Sequence, residues 1–246
     1  MEAEKYKVIR TEEMKTIIIG GGAAGMIAAV SAADHGDEVL LIEKNEKLGK
    51  KMFITGKGRC NVTNACSRDD FFAHVVTNPK FLYSAYSGFD CRDLMQFIER
   101  EKTPLKTERG NRVFPVSDHA YDIIDAFKRA LKERRVEICL NTKVTELLTE
   151  PFLKEGPCEN KDSLKKEKHS GRIKGVKLSN GKILCADKVI LATGGLSYPS
   201  TGSTGDGHLF AKQTGHEIKE PKPALVPFLT KEDWVSSLQG LSLKNV

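Results

Sequence analysis

Three glycines, Gly20, Gly22 and Gly25, stand directly after the apolar run Lys15-Thr16-Ile17-Ile18-Ile19 and open an alanine-rich stretch that reaches Gly36. Glycines at this spacing bind with the main chain rather than with side chains. Gly20 lets the chain turn tightly off a strand, Gly22 leaves bare backbone for a pyrophosphate to approach, and Gly25 lets a helix pack close to a sheet. The helix that follows offers free N–H groups and a partial positive charge to phosphate oxygens at its N-terminus. A second apolar run, Glu38–Ile42, ends in Glu43, 18 residues after Gly25. A carboxylate there can accept hydrogen bonds from ribose hydroxyls. Strand, glycine turn, small-residue helix, strand and acid together describe a dinucleotide-binding βαβ unit. The small residues Ala29 and Gly36 extend the pattern in a way that leans towards FAD over NAD, although both cofactors share the ADP half that the motif reads.

A second segment carries complementary chemistry. Asp187-Lys188-Val189-Ile190-Leu191 is strand-like and ends in Ala192-Thr193-Gly194-Gly195, small residues that permit backbone contact with a dinucleotide. A third, Lys44–Asn64, follows the acidic residue directly and includes Gly56-Lys57-Gly58-Arg59-Cys60-Asn61-Val62-Thr63-Asn64. Arg59 there can form a charge-assisted pair with a phosphate, and Asn61 supplies a short polar contact. A fourth, Ser197–Gly207, reads either as a hydroxyl-rich lining of the cofactor site or as a connection that caps the next helix.

These segments need elements to hold them. Apolar runs at 15–19, 38–42, 136–140 and 188–192 predict buried parallel strands. Helices are predicted at 23–35, 92–101, 118–135 and 206–214. The third is expected to start from Ser117-Asp118 and to present Ile123, Ile124, Phe127 and Leu131 on one face. Residues 142–148 and 172–185 predict a β-meander with a tight turn at Ser179-Asn180-Gly181-Lys182. The fold class is α/β, a parallel sheet with helices plus that meander.

The 246 residues suit one large domain or two modest ones. Residues 1–14 are polar, lack the apolar core of a signal peptide and predict a disordered tail. No apolar run approaches the roughly 20 residues that a membrane-crossing helix needs. Six cysteines without CxxC or metal-ligand spacing predict reduced thiols and a cytoplasmic protein. The net charge of +6 sits in mixed clusters such as Lys165-Lys166-Glu167-Lys168, with no basic stripe interleaved with aromatics. It predicts solvated surface and an attraction for anionic ligands rather than a nucleic-acid partner. Glu150 to Gly171 predicts an exposed insertion. Cys60, Tyr198 and His119 are the side chains one would weigh for redox or proton-transfer work, and none has a partner at a spacing that assigns it.

At the level of whole segments, the runs around Gly20–Asn64, together with VFPVSDHAYDIIDAF, VILATGGLSYPSTGSTGDGHLFAKQTGHEI and PALVPF, resemble the YhiN/BaiN-type flavoproteins. This is a two-dinucleotide-fold FAD family with members described as bile-acid Δ4,6-reductases or aminoacetone-oxidase-like enzymes. The resemblance implies a Rossmann-like domain with FAD along Gly20, Gly22, Ala23, Ala24 and Gly25, and Glu43 on the ribose. It places Lys44, Arg59 and Asn61 beside the cofactor, Val144 at the adenine through its backbone, and Ala192, Thr193 and Gly194 along the dinucleotide. It implies NAD(P)H as electron donor and an unsaturated or carbonyl-bearing small molecule as acceptor. It also implies an FAD-binding domain at 15–222 and, at 223–246, the beginning of an inserted, strand-rich substrate domain that this chain does not complete. A flavin-free NAD(P) dehydrogenase and a non-catalytic nucleotide-binding module are the alternatives.

Overall fold

The computed structural model describes residues 14–150, 171–225 and 229–241. The expected tail at 1–14, apart from Met14, and the core of the expected insertion at 150–171 lie outside the described residues. The chain separates into two compact units, residues 1–216 and 217–246.

The first unit is organised by alternating apolar residues. Strands β1 (Lys15–Ile19), β2 (Glu38–Ile42), β6 (Glu137–Cys139) and β10 (Lys188–Leu191) form a parallel sheet in the order β10-β1-β2-β6. Successive side chains of a strand point to opposite faces, so both faces must be covered. Ile18, Val39 and Leu41 pack on one side against α1 (Ala23–Asp34) and α5 (Ala120–Glu133). Ile17, Ile19, Leu40 and Ile42 pack on the other, against Val144, Val176, Leu178 and Phe210. Those residues come from an antiparallel sheet, β7 (Val144–Thr149), β8 (Ile173–Leu178) and β9 (Ile183–Cys185), and from α6 (Asp206–Gln213). The result is a three-layer α/β unit whose parallel strands all end near the glycine turn.

The α1 sequence is nearly all small residues, and Gly25, Met26, Ala29 and Val30 are buried. It ends at His35, followed by Gly36 at φ 88°, the left-handed stop that glycine adopts without strain. In α5, Ile123, Ile124, Phe127 and Leu131 are all buried, as their periodicity predicts. The meander turn closes with the Gly181 N–H on the Leu178 carbonyl at 2.9 Å and the Lys182 N–H on Asn180 Oδ1 at 3.0 Å.

Several elements differ from expectation. A short strand β3 (Thr63–Asn64) joins a hairpin, β4 (Leu105–Glu108) and β5 (Arg112–Pro115), and small helices α2 (Arg68–Ala73) and α3 (Tyr83–Gly88) precede α4 (Cys91–Arg100). Helix α5 does not start at Ser117-Asp118. Asp118 sits at φ 60°, outside the helix, because its carboxylate is held by Arg59 and Lys106 instead of by helix N–H groups. His119 is the cap, without a side-chain hydrogen bond. In the second unit the described residues hold one short helix, α7 (Trp234–Ser237).

Candidate functional site: a glycine-floored cavity at the strand ends

The C-terminal ends of β1, β2 and β10 surround a cavity of about 810 Å³, within the roughly 300–1,000 Å³ range that encloses small ligands. Its floor is the turn Gly20–Gly22 and the first residues of α1. Each glycine there has a separate geometric reason. A Cβ on Gly20, which sits at φ 110°, would overlap the carbonyl oxygen of Ala192, whose N–H bonds Ile19 at 2.8 Å. A Cβ on Gly25 would overlap the carbonyl oxygen of Gly20 and approach Ala192 Cβ to 3.3 Å. A Cβ on Gly22 would meet nothing within 4 Å. Gly20 and Gly25 are therefore required by the fold, whereas Gly22 keeps main chain bare towards the cavity. Gly22 also caps α1 with no side-chain acceptor, which leaves the first-turn N–H groups available to a ligand.

Of the residues expected at a cofactor, Gly20, Gly22, Ala23 and Ala24 line the cavity, as do Glu43, Lys44 and Asn61. Val144, Ala192, Thr193 and Gly194 line it as well. Gly25 does not; it is the close contact between helix and sheet. Arg59 does not either. Its guanidinium is held by Glu108 and by Asp118, with Nε to Asp118 Oδ1 at 2.7 Å, and it lies over the Phe114 ring at 4.0 Å. Those contacts turn it into a neighbouring cavity, away from the glycine turn.

Glu43 is 7 % exposed. Its carboxylate accepts from the Gly21 N–H at 2.6 Å, the Asn45 N–H at 2.8 Å and Asn45 Nδ2 at 2.7 Å. The acid thus holds the glycine turn in shape. A carboxylate has about four lone-pair sites, which leaves acceptor capacity for a ribose hydroxyl.

Three tethers join the segment after β2 to the loop after β10. Lys44 Nζ donates to Thr204 Oγ1 at 2.6 Å and Asp206 Oδ2 at 2.7 Å. Asn45 Nδ2 reaches the Thr201 carbonyl at 3.2 Å. Lys51 Nζ donates to the Ser197 carbonyl at 2.8 Å and Ser203 Oγ at 2.6 Å. These contacts bring Thr201, Gly202, Ser203 and Asp206 into the cavity lining. Sequence reasoning left that loop open between lining and helix cap and missed Asn45, Lys51 and Asp206. The position of Asn45, two residues after the acid, was the available signal for the first of them. Lys44, Lys50, Lys51 and Lys143 outnumber Glu43 and Asp206 in the lining, a balance suited to an anionic ligand.

Burial alone would push the Asp206 carboxyl up. Hydrogen bonds from Lys44 and Thr204 and the Lys44 charge outweigh it and hold the carboxyl below its ordinary 3.8. A depressed carboxyl stabilises the fold above its unfolded pKa, and that contribution disappears as pH falls through the folded value. Thermal unfolding followed from about pH 6 down to pH 3 should show an acid limb below pH ~4. Asp206→Asn should flatten that limb and cost about 1–2 kcal/mol at neutral pH. An acid limb identical in the variant would exclude this pair as its source.

Burial pushes the Cys60 thiol up despite its hydrogen bond with Thr55, so Cys60 is a packed thiol in the wall rather than a thiolate nucleophile. Tyr198 is 66 % exposed and lines the neighbouring cavity, not this one.

A family model described as the HI0933-like protein Rossmann domain matches residues 14–246. The chain belongs to this family. It is the YhiN/BaiN-type flavoprotein family that the glycine, Arg59 and Ser197–Gly207 segments resemble. The chain is 31 % identical over 226 residues to a 3-dehydro-bile acid delta(4,6)-reductase of Clostridium scindens, covering 91 % of this chain and 49 % of that protein. It is 30 % identical over 231 residues to a ribosomal RNA dihydrouridine synthase of Escherichia coli, covering 94 % and 52 %. The chain therefore spans about half the length of these curated relatives. In fold it is similar to a 3-ketosteroid-delta4-(5alpha)-dehydrogenase of Rhodococcus jostii RHA1, with TM-score 0.57, 15 % identity and coverage of 86 % of this chain and 56 % of that one. A flavocytochrome c3 fumarate reductase gives TM-score 0.54 at 23 % identity, with coverage of 84 % and 41 %. Among the described residues no helix is long and apolar enough to cross a membrane.

Proposed function

We propose that this family member supplies the FAD-binding portion of a reductase that saturates a carbon–carbon double bond conjugated to a carbonyl, with NAD(P)H as donor. The single observation that carries the reading is the bare Gly22 turn at the head of α1, facing a cavity lined by lysines and closed by the return segment Ala192–Gly194. When bound, FAD supplies the hydride chemistry, and the protein positions and tunes it. Gly20, Gly22 and the first-turn N–H groups of Ala23 and Ala24 would hold the pyrophosphate. Glu43 would keep the turn in register while accepting from the ribose, and Val144 would present its backbone to the adenine. The 44–51 segment and the 201–206 loop, tied together by Lys44, Asn45 and Lys51, would close the cavity against water.

The two curated relatives support the substrate class. The name of one describes reduction of double bonds beside a 3-oxo group, and that of the other describes saturation of uridine, whose ring double bond adjoins a carbonyl. In the reaction proposed here, a hydride and a proton would add across the bond while NAD(P)H becomes NAD(P)+. A small molecule is the first reading of the acceptor. A ribosomal RNA uridine is the second, supported by the Escherichia coli relative. A reducing, cytoplasmic setting is the one that the cysteine spacing of the sequence predicts.

The test is an FAD titration of the purified chain, followed by anaerobic addition of NADH or NADPH while the flavin absorption band is recorded. Uptake of FAD with bleaching by one nicotinamide nucleotide is the expected result. A protein that takes up a nicotinamide nucleotide but no FAD would replace this reading with the flavin-free dehydrogenase.

A further inference from the structure

Beside the cofactor cavity lies a second one of about 770 Å³ with a different chemistry. Four cations, Lys51, Lys57, Arg59 and Arg112, line it together with Phe114 and Tyr198, and among the described residues no acidic one does. The two cavities share Lys51, Thr55 and Asn61 in their walls, so they adjoin.

The charge balance of this annex is uneven in an informative way. Arg59 is neutralised from behind by Glu108 and Asp118, and Lys106 pairs with the same two acids. That group of four sums to no net charge and serves to fix the Arg59 guanidinium over the Phe114 ring. Among the described residues the other three cations have no acidic partner. There Lys51 donates to the neutral oxygens of Ser197 and Ser203. Arg112 donates from Nε to the Arg109 carbonyl at 3.2 Å. Lys57, exposed at φ 58° between Gly56 and Gly58, forms no ion pair among the described residues. Three cations without an acidic partner among the described residues, around one concave space, have the charge that suits a phosphate-bearing ligand. Tyr198, largely exposed, lines the same space and is of a type on which a base can stack.

We propose that this annex binds the phosphate of a nucleotide that approaches the cofactor cavity from outside, either the nicotinamide dinucleotide donor or a uridine-bearing RNA acceptor. The inference rests on the function proposed above and deepens it. It assigns Lys57 and Arg112 to a second ligand, not to FAD, with Lys51 standing between the two cavities.

The test uses the full chain and the double variant Lys57→Asn/Arg112→Gln. Neither residue lines the cofactor cavity, and asparagine tolerates the left-handed backbone at position 57. Three probes are titrated: FAD, NADPH and a short uridine-containing RNA, the last two with and without inorganic pyrophosphate as competitor. The wild-type chain should bind NADPH or the RNA in a pyrophosphate-competable manner, and the double variant should weaken that probe by about tenfold or more. Whichever probe responds identifies the source of the phosphate. FAD affinity and the thermal midpoint should stay unchanged in the variant. Equal affinity of variant and wild type for both nucleotides, or binding of neither by wild type, overturns the annex. Loss of FAD binding by wild type would instead sink the flavin reading, so the two failures are distinguishable.

Discussion

Gly25→Ala will unfold or severely destabilise the first unit, although alanine is the better helix former by about 1 kcal/mol. The reason is backbone against backbone. The added methyl would overlap the Gly20 carbonyl oxygen and stand 3.0 Å from its carbon. Gly20 cannot retreat, because its N–H is bonded to the Ile42 carbonyl at 2.8 Å and its own Cα side abuts Ala192. Helix α1 would have to lift from the sheet, opening the contacts of Met26 and Ala29, both fully buried. Overpacking that side chains can relieve costs about 1–3 kcal/mol. Here no side chain can move aside, so a net loss of about 3 kcal/mol or more is expected, which at this size lowers the thermal midpoint by roughly 6–12 °C. Differential scanning calorimetry of the variant decides it. A midpoint within a degree of wild type would mean that α1 does not sit where the sheet-to-helix distance places it.

The sheet and its covering helices were legible because burial on both faces writes continuous apolar runs. Ile17, Ile18 and Ile19 cannot all be buried on one face of a strand. The meander was legible from its Asn180-Gly181 turn. The stretch between Ala65 and Phe89 was not, for a physical reason. Helices α2 and α3 bury no residue completely. Phe71, Phe72, Tyr83 and Tyr86 pack on one another, with ring centroids 4.5–5.2 Å apart, so no core-facing stripe is imprinted on the sequence. The β4–β5 hairpin is four residues on each side and alternates with the charged Lys106, Glu108 and Arg112, which reads as surface.

Site residues divide along the same line. The positions of Gly20, Gly22, Glu43 and Ala192 around the cavity were readable because they depend on the local strand-turn-helix path. The environment of Arg59 was not, since Glu108 and Asp118 are 49 and 59 residues away in sequence. An arginine next to a cofactor motif looks like a phosphate ligand until the acids that claim it are located. The pairing of Lys44 with Asp206, 162 residues apart, was hidden for the same reason.

Gly22→Ala separates binding from folding, and its expected outcome is the opposite of that for Gly25. Gly22 has φ −79° and ψ −174°, extended backbone that alanine adopts without strain. Its new Cβ would meet no protein atom within 4 Å. The helix loses the cap position's preference for glycine over alanine, partly offset by alanine's lower unfolded-chain entropy, so the net change in stability should be about 1 kcal/mol or less. Yet the methyl would project from the one part of the turn that the fold itself does not require to be bare. If the pyrophosphate of FAD lies against this main chain, even a methyl group displaces it, and the N–H groups of the α1 first turn lose their distance and alignment to the phosphate oxygens. A loss of about 1.4 kcal/mol or more follows, at least tenfold in the dissociation constant. Flavin fluorescence titration of the variant beside wild type measures this directly, with the thermal midpoint as control. A variant that folds normally and binds FAD as tightly as wild type would show that the phosphates rest elsewhere, and would remove the observation on which the proposed function stands.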